Sequence, residues 1–132
     1  MIEQTLSIIK PDAVERNLDS KIISFFESRK LKVIKSKKVK ITKDEAEEFY
    51  KVHQTKPFYN DLCSYLSSGP IVVMNLEGED AISKNREIMG ATDPLKAEED
   101  TIRGMYGISI DKNSVHGSDS FKNAKIEIKF FF

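Results

Sequence analysis

The alternation of apolar and polar positions divides the chain into short segments of two kinds. Leu6 to Ile9 is an apolar run ended by Lys10-Pro11-Asp12, a strand running into a turn. Val14, Leu18, Ile22 and Phe26 then recur every four residues. That spacing predicts an amphipathic helix laying one stripe on a sheet, with Asp19 or Ser20 available as an N-cap for its later part. From Leu31 to Ile41 apolar residues alternate with lysines, the pattern of a long strand with one solvated face. Thr42-Lys-Asp-Glu45 has the form of a capping box, so a helix starts there, with Ala46, Phe49, Tyr50 and His53 on one face.

Pro57 predicts the opening of another helix, with Phe58, Leu62, Tyr65 and Leu66 aligned and Gly69-Pro70 as its stop. Ile71 to Leu76 reads as a buried strand, and Glu77-Gly78 as the turn into a helix carrying Ala81, Ile82, Asn85, Arg86 and Met89 that ends at Gly90. From Ala91 to Ser114 the pattern is irregular, apart from a Thr92-Asp93-Pro94 turn and a short apolar stretch around Ile108 to Ile110. Asn113 to Ser120 is polar and caps a last helix that uses Ala124, Glu127, Ile128 and Phe131. Strands alternating with helices over short links predict an α+β sandwich, a mainly antiparallel sheet covered by helices. No linker or repeat divides the chain, so residues 1–132 are expected to form a single domain.

Composition narrows the function. Apolar residues make up 39%, the ordinary globular range, so disorder is not expected. Lys plus Arg equals Asp plus Glu at 21 each, so no global field draws the chain to nucleic acid or an anionic membrane. Any anion must be held by a local cluster. The lysines between Lys30 and Lys43 fall on the polar positions of an alternating strand, without interleaved aromatics for base stacking, and nucleic acid is not an expected partner. One cysteine, Cys63, excludes an internal disulfide and suits a reducing compartment, where it reads as a small core filler. The N-terminal residues lack the basic region of a signal peptide, and no apolar stretch approaches a membrane span, so a cytoplasmic location is expected.

Both common glycine-rich phosphate cradles are absent, and one Cys with two His excludes a Cys/His metal cluster. His53 and Tyr50 lie three apart on one helix face, a pair that alone reads as a helix edge. His116 is followed by Gly117, which lets a ligand or backbone approach closely, and by Ser118 to Ser120, whose amides stand at a helix N-terminus favourable to anions. Glu127 lies about two turns into that helix, within reach of the imidazole. From the residues alone His116 reads equally as an ordinary loop histidine, and spacing does not decide.

A wider set of motifs does. Thr5-Leu-Ser-Ile-Ile-Lys-Pro-Asp-Ala-Val14, Lys56-Pro-Phe-Tyr59, Ser68-Gly-Pro70, Gly90-Ala-Thr-Asp-Pro94, Thr101-Ile-Arg-Gly104 and Asn113-Ser-Val-His-Gly-Ser-Asp-Ser120 together resemble the nucleoside diphosphate kinase family, in the right order from about Thr5 to Phe131. The resemblance implies a ferredoxin-like βαββαβ core with a four-stranded antiparallel sheet. It implies reversible ping-pong transfer of a γ-phosphate from a nucleoside triphosphate, typically ATP, to a nucleoside diphosphate, with Mg²⁺ carried by the nucleotide phosphates rather than by a protein metal site.

Position by position, the resemblance makes His116 the residue that becomes phosphorylated, Glu127 the carboxylate that orients its ring, and Ser118 the hydroxyl close to that carboxylate. Lys10 falls on the lysine that reaches the sugar hydroxyls and the transferred phosphate, and Asn113 on the amide at the ribose. Phe58 matches the aromatic under the base, with Ile110 on the base's other face. Arg86 and Thr92 match β-phosphate ligands, Arg103 and Tyr50 groups near the transferred phosphoryl, and His53 a histidine near the inner phosphates. Stacking does not distinguish bases, so a broad base and sugar range is expected. A homo-oligomer built from dimers is implied, with a hexamer as the family habit. Ser20 and Asp100, where glycines are usual, and an end at Phe132 without a longer tail leave a tetramer or dimer as alternatives. A non-catalytic binding protein on the same fold is the competing reading, which the full set of matched residues disfavours.

Overall fold

The computed structural model describes residues 2–110 and 112–132. Four strands, β1 (Ile2–Ile9), β2 (Lys32–Val39), β3 (Ile71–Glu79) and β4 (Val115–Gly117), form one antiparallel sheet in the order β2-β3-β1-β4. This is the ferredoxin-like α+β arrangement. The central strands are buried on both faces because helices cover both: Thr5 to Ile9 of β1 and Ile71 to Leu76 of β3 are buried without alternation. β2 lies at the edge, and its exposed lysines blunt that edge.

On one face α1 (Pro11–Glu15), α2 (Asp19–Ser28), α5 (Ala81–Met89) and α6 (Ile102–Tyr106) enclose a core containing Ile9, Ile22, Phe26, Met74 and Val115. On the other, α3 (Lys43–Phe49), α4 (Tyr59–Leu66) and α7 (Phe121–Phe131) pack over Leu6, Ile8, Ile71 and Val73. Cys63 is buried in this second core. Strand pleating decides which core each neighbour joins. In β4, His116 pairs with Ile8 and shares its face, while Val115 and Gly117 face α5.

Several elements differ from the sequence expectation. The stripe Val14–Leu18–Ile22–Phe26 is buried in one core as expected, but the backbone is two helices, broken where Asn17 takes φ +57°. Asparagine tolerates that region, and Leu18, not Asp19 or Ser20, stands at the N-cap of α2, without a side-chain cap. The capping box at Thr42 and Glu45 forms in full, though α3 ends at Phe49 and a 3-10 turn carries Lys51–His53. Phe58 rather than Pro57 borders α4. β3 continues through Gly78 to Glu79, pairing Glu79 with Ile2, and the turn falls at Asp80 with φ +49°. Gly78 answers a close approach instead, since a Cβ there would meet the Lys30 carbonyl and Leu31 at 2.8–2.9 Å. No strand forms at Ile108–Ile110; the fourth strand is β4, five residues further on, and α6 arises in the stretch read as irregular, capped by Thr101 accepting from Gly104 N–H.

Candidate active site

β4 delivers His116 to the sheet edge, and α7, which follows after a Ser120 N-cap, folds back over it. The His116 Nε2 lies 2.9 Å from Glu127 Oε1, and Ser118 Oγ donates to the same oxygen at 3.0 Å. A carboxylate acceptor requires the proton on Nε2, which leaves the lone pair on Nδ1. The histidine and glutamate side chains are 19% and 17% exposed, so the pair is shielded but reachable. The imidazole is wedged edge-on between Phe49 and Tyr50, at 5.3 and 5.9 Å between ring centroids, which fixes its plane.

Tyr50 is buried, and its hydroxyl has no hydrogen-bond partner among the described residues. Burial, with the Glu127 charge adding, holds the phenol far above its ordinary value, so it is a neutral donor at any working pH. His53 continues the row of rings, 6.2 Å from Tyr50 and 6.0 Å from Phe58.

Beside Gly117 a cleft of about 230 Å³ is lined by Arg86, Thr92, Arg103 and Asp119. Arg86 donates to the Asp119 carbonyl at 3.4 Å, and Arg103 to the Gly90 and Val115 carbonyls at 3.0 Å each. Carbonyl partners orient a guanidinium without neutralising it. Burial and the neighbouring Arg86 charge lower Arg103 to about 10, still cationic at neutral pH. Two cations held side by side in a concave site form a receptor for a polyanion. Gly117 lets β4 pack closely on α5: a Cβ there would collide with the Asn85 amide and the Met89 thioether.

Lys10 is buried at the end of β1, and its Nζ donates to Asn113 Oδ1 at 2.9 Å. Asn113 in turn donates to the Thr92 carbonyl at 3.1 Å. Phe58 and Ile110 stand exposed, at 45% and 56%, and belong to neither core. The structure thus brings His116, Glu127, Ser118 and Tyr50 together. Arg86, Thr92 and Arg103 line the cleft, and Lys10 is joined to Asn113. No described contact links Ile110 to the others. The sequence reading missed Asp119, the cleft's carboxylate. Its Oδ1 accepts from the Asn123 amide at 2.6 Å, the main reason it sits below the ordinary carboxylate range. Its place directly after Ser118 was the available signal.

A family model described as nucleoside diphosphate kinase matches residues 3–132. The chain belongs to the nucleoside diphosphate kinase family. Nucleoside diphosphate kinases of Campylobacter hominis and Persephonella marina are 58% and 55% identical over 131 residues, 99% of this chain and 96% and 94% of theirs. Among solved structures, the Aquifex aeolicus nucleoside diphosphate kinase superposes with a TM-score of 0.98 at 41% identity, covering 100% of this chain and 96% of that one. The Encephalitozoon cuniculi enzyme gives 0.95 at 40% identity, covering 98% and 88%. Among the described residues no helix is long and apolar enough to cross a membrane, and no group of three or more His, Cys, Asp or Glu converges to hold a metal ion.

Proposed function

We propose that this nucleoside diphosphate kinase moves phosphate between nucleotides through a phosphohistidine on His116. The observation that carries the reading is the Nε2–Glu127 bond at 2.9 Å, which directs the Nδ1 lone pair away from the carboxylate. In the first half-reaction Nδ1 attacks the γ-phosphorus of a nucleoside triphosphate. The bond to the β–γ bridging oxygen breaks, and its electron pair leaves with the diphosphate. The Nε2 proton stays in place, and Glu127 stabilises the positive charge that the ring acquires. In the second half a terminal oxygen of another diphosphate attacks the phosphorus, and the N–P electron pair returns to the ring. Arg86, Arg103 and the Tyr50 hydroxyl stabilise charge on the phosphoryl oxygens, and Thr92 contacts the inner phosphates with His53 near them. Lys10 and Asn113 hold the sugar, and Phe58 stacks the base opposite Ile110.

Mg²⁺ enters with the nucleotide, where it neutralises phosphate charge. The donor set fits that role: the cleft holds one carboxylate, Asp119, too few for a resident ion and suitable for one already carried by phosphates. Residues 1–132 act as one catalytic domain, and the free buried Cys63 fits a cytoplasmic setting. The chain assembles as a homo-oligomer of dimers, a hexamer by family habit. Exposed Leu95, Met105 and Ile108 support subunit contacts there. Light scattering at micromolar concentration reads the assembly, and a monomer refutes it. Incubation with γ-labelled ATP and Mg²⁺ tests the chemistry. An acid-labile, alkali-stable label is expected on the parent and none on His116→Ala; label retained in that variant on His53 or a serine refutes the assignment.

A further inference from the structure

The strained point of the backbone nearest the site is Ser114. Its φ is +74°, and Val115 N–H donates to the Asn113 carbonyl across it at 2.9 Å. A bond of that span over a positive φ makes a γ-turn of the rare, strained hand. A serine persists there only where its surroundings over-determine it. Two bonds do so. The Ser114 carbonyl accepts from Lys10 N–H at 2.8 Å, and Ser114 Oγ donates to Asp12 Oδ2 at 2.9 Å. Both ends of one fully buried residue are thereby tied to the segment that carries Lys10.

Asp12 is buried and serves as the hub of this tie. Its Oδ1 accepts from the Tyr65 hydroxyl at 2.6 Å, and its own N–H donates back to that hydroxyl oxygen at 2.7 Å. Its Oδ2 takes the Ser114 hydroxyl and the Arg16 guanidinium, the latter at 3.2 Å, and Arg16 also reaches the Tyr106 carbonyl at 2.6 Å. One carboxylate therefore joins α1, α4, the end of α6 and the strained turn. Three protein donors take its two oxygens and the residue is 6% exposed, so it serves the scaffold rather than substrate.

We propose that Asp12 is a positioning residue for nucleotide binding: by holding the Ser114 turn it sets Lys10 against Asn113 and so builds the grip on the sugar. The inference rests on the sugar-binding reading of Lys10 and Asn113 given above. The Lys10–Asn113 bond of 2.9 Å spans the same two segments that the Asp12–Ser114 bond clamps, two residues further along the first and one along the second. Loosening the clamp shifts both groups together, whereas the His116–Glu127 pair has its own anchor on α7.

The test compares the parent, Asp12→Asn, Ser114→Ala and Ser114→Gly on ATP and on dideoxy-ATP, which lacks both sugar hydroxyls. Asp12→Asn and Ser114→Ala are expected to lower kcat/KM for ATP on the order of tenfold, mainly through KM, with a smaller loss on dideoxy-ATP. Ser114→Gly, which adopts positive φ without a clamp, is expected to recover most of the ATP activity lost in Ser114→Ala. Equal losses on the two substrates, or no recovery with glycine, overturn the proposal. Should Asp12→Asn not fold, the two Ser114 variants decide alone. A parent that forms phosphohistidine but shows no preference for ATP over dideoxy-ATP overturns the sugar-binding reading, and the proposal with it. A parent that forms no phosphohistidine overturns the catalytic reading instead, while the parent's binding preference for ADP over dideoxy-ADP, measured by calorimetry, and its loss in Ser114→Ala still decide the role of Asp12.

Discussion

Replacing Glu127 by Gln separates orientation of the nucleophile from its chemistry. The side chain keeps its shape, and Ser118 still finds an acceptor 3.0 Å away, so the fold and the α7 anchor are retained. Two things change. The bond to His116, 2.9 Å long, becomes a neutral hydrogen bond at a time when the ring is gaining charge. Charged hydrogen bonds contribute about 1.5–3 kcal/mol against about 0.5–1.5 for neutral ones, so this change costs roughly 1–2 kcal/mol in the transition state. The glutamine amide also donates, which favours the ring tautomer with its proton on Nδ1. Moving that proton off the attacking nitrogen adds up to about 2 kcal/mol more. The sum, about 1–4 kcal/mol, is roughly a fivefold to thousandfold loss in the rate of His116 phosphorylation. Nucleotide affinity stays near the parent's, because Glu127 faces the ring and not the cleft. Rapid-quench single turnovers across pH measure the step directly. A variant as fast as the parent, or as inactive as His116→Ala, refutes the orienting role.

Phe58→Ala, at a site where the ring is 45% exposed, should cost roughly 1–3 kcal/mol of binding to purine and pyrimidine nucleotides alike, seen in KM more than kcat. A tenfold bias toward one base would show that an edge-reading contact exists. Asn123→Ala removes the chief cause of the lowered Asp119 pKa. A depressed carboxyl contributes stability that is present above its unfolded value of about 4 and is lost as pH falls through the lower folded value. The variant should therefore be less stable than the parent near neutrality, with the gap closing in acid; parallel urea-midpoint curves from about pH 7 to 3 refute this.

Elements whose signals lie within one segment were legible from the residues. The apolar runs of β1 and β3, the lysine alternation of β2 and the Thr42–Glu45 capping box are each decided by neighbours in sequence, and each forms. Elements decided across the chain were not. β4 is three residues long and owes its existence to pairing with Ser7, Ile8 and Ile9, over a hundred residues earlier, so nothing in its own polar segment marked it as a strand. Gly78 read as a turn because the Lys30 carbonyl and Leu31 side chain that crowd it are invisible from its own segment. Asn17 read as helix interior because the periodicity of the apolar stripe survives a single left-handed residue.

The site divides the same way, and the division has a physical cause. Motif resemblance named Lys10 and Asn113 one at a time, but the segments that carry them are tied together by Asp12, which bonds Tyr65 and Ser114 at separations of 53 and 102 residues. Nothing in the spacing of Lys10-Pro11-Asp12 reveals that the aspartate points inward. Electrostatics follows from this construction. The chain has as many cations as anions, so its binding of polyphosphate rests on where charge is left uncompensated. Arg16 is paired with Asp12 at 3.2 Å, and Arg29 with Glu87 at 3.1 Å, whereas Arg86 and Arg103 are held by carbonyls. The Arg103 guanidinium, buried and fixed by two neutral acceptors, stays cationic and in place. On the proposed reading of the cleft as a phosphate site, the burial that lowers Arg103 toward 10 is the energetic cost of preforming it, accepted at folding rather than at each turnover.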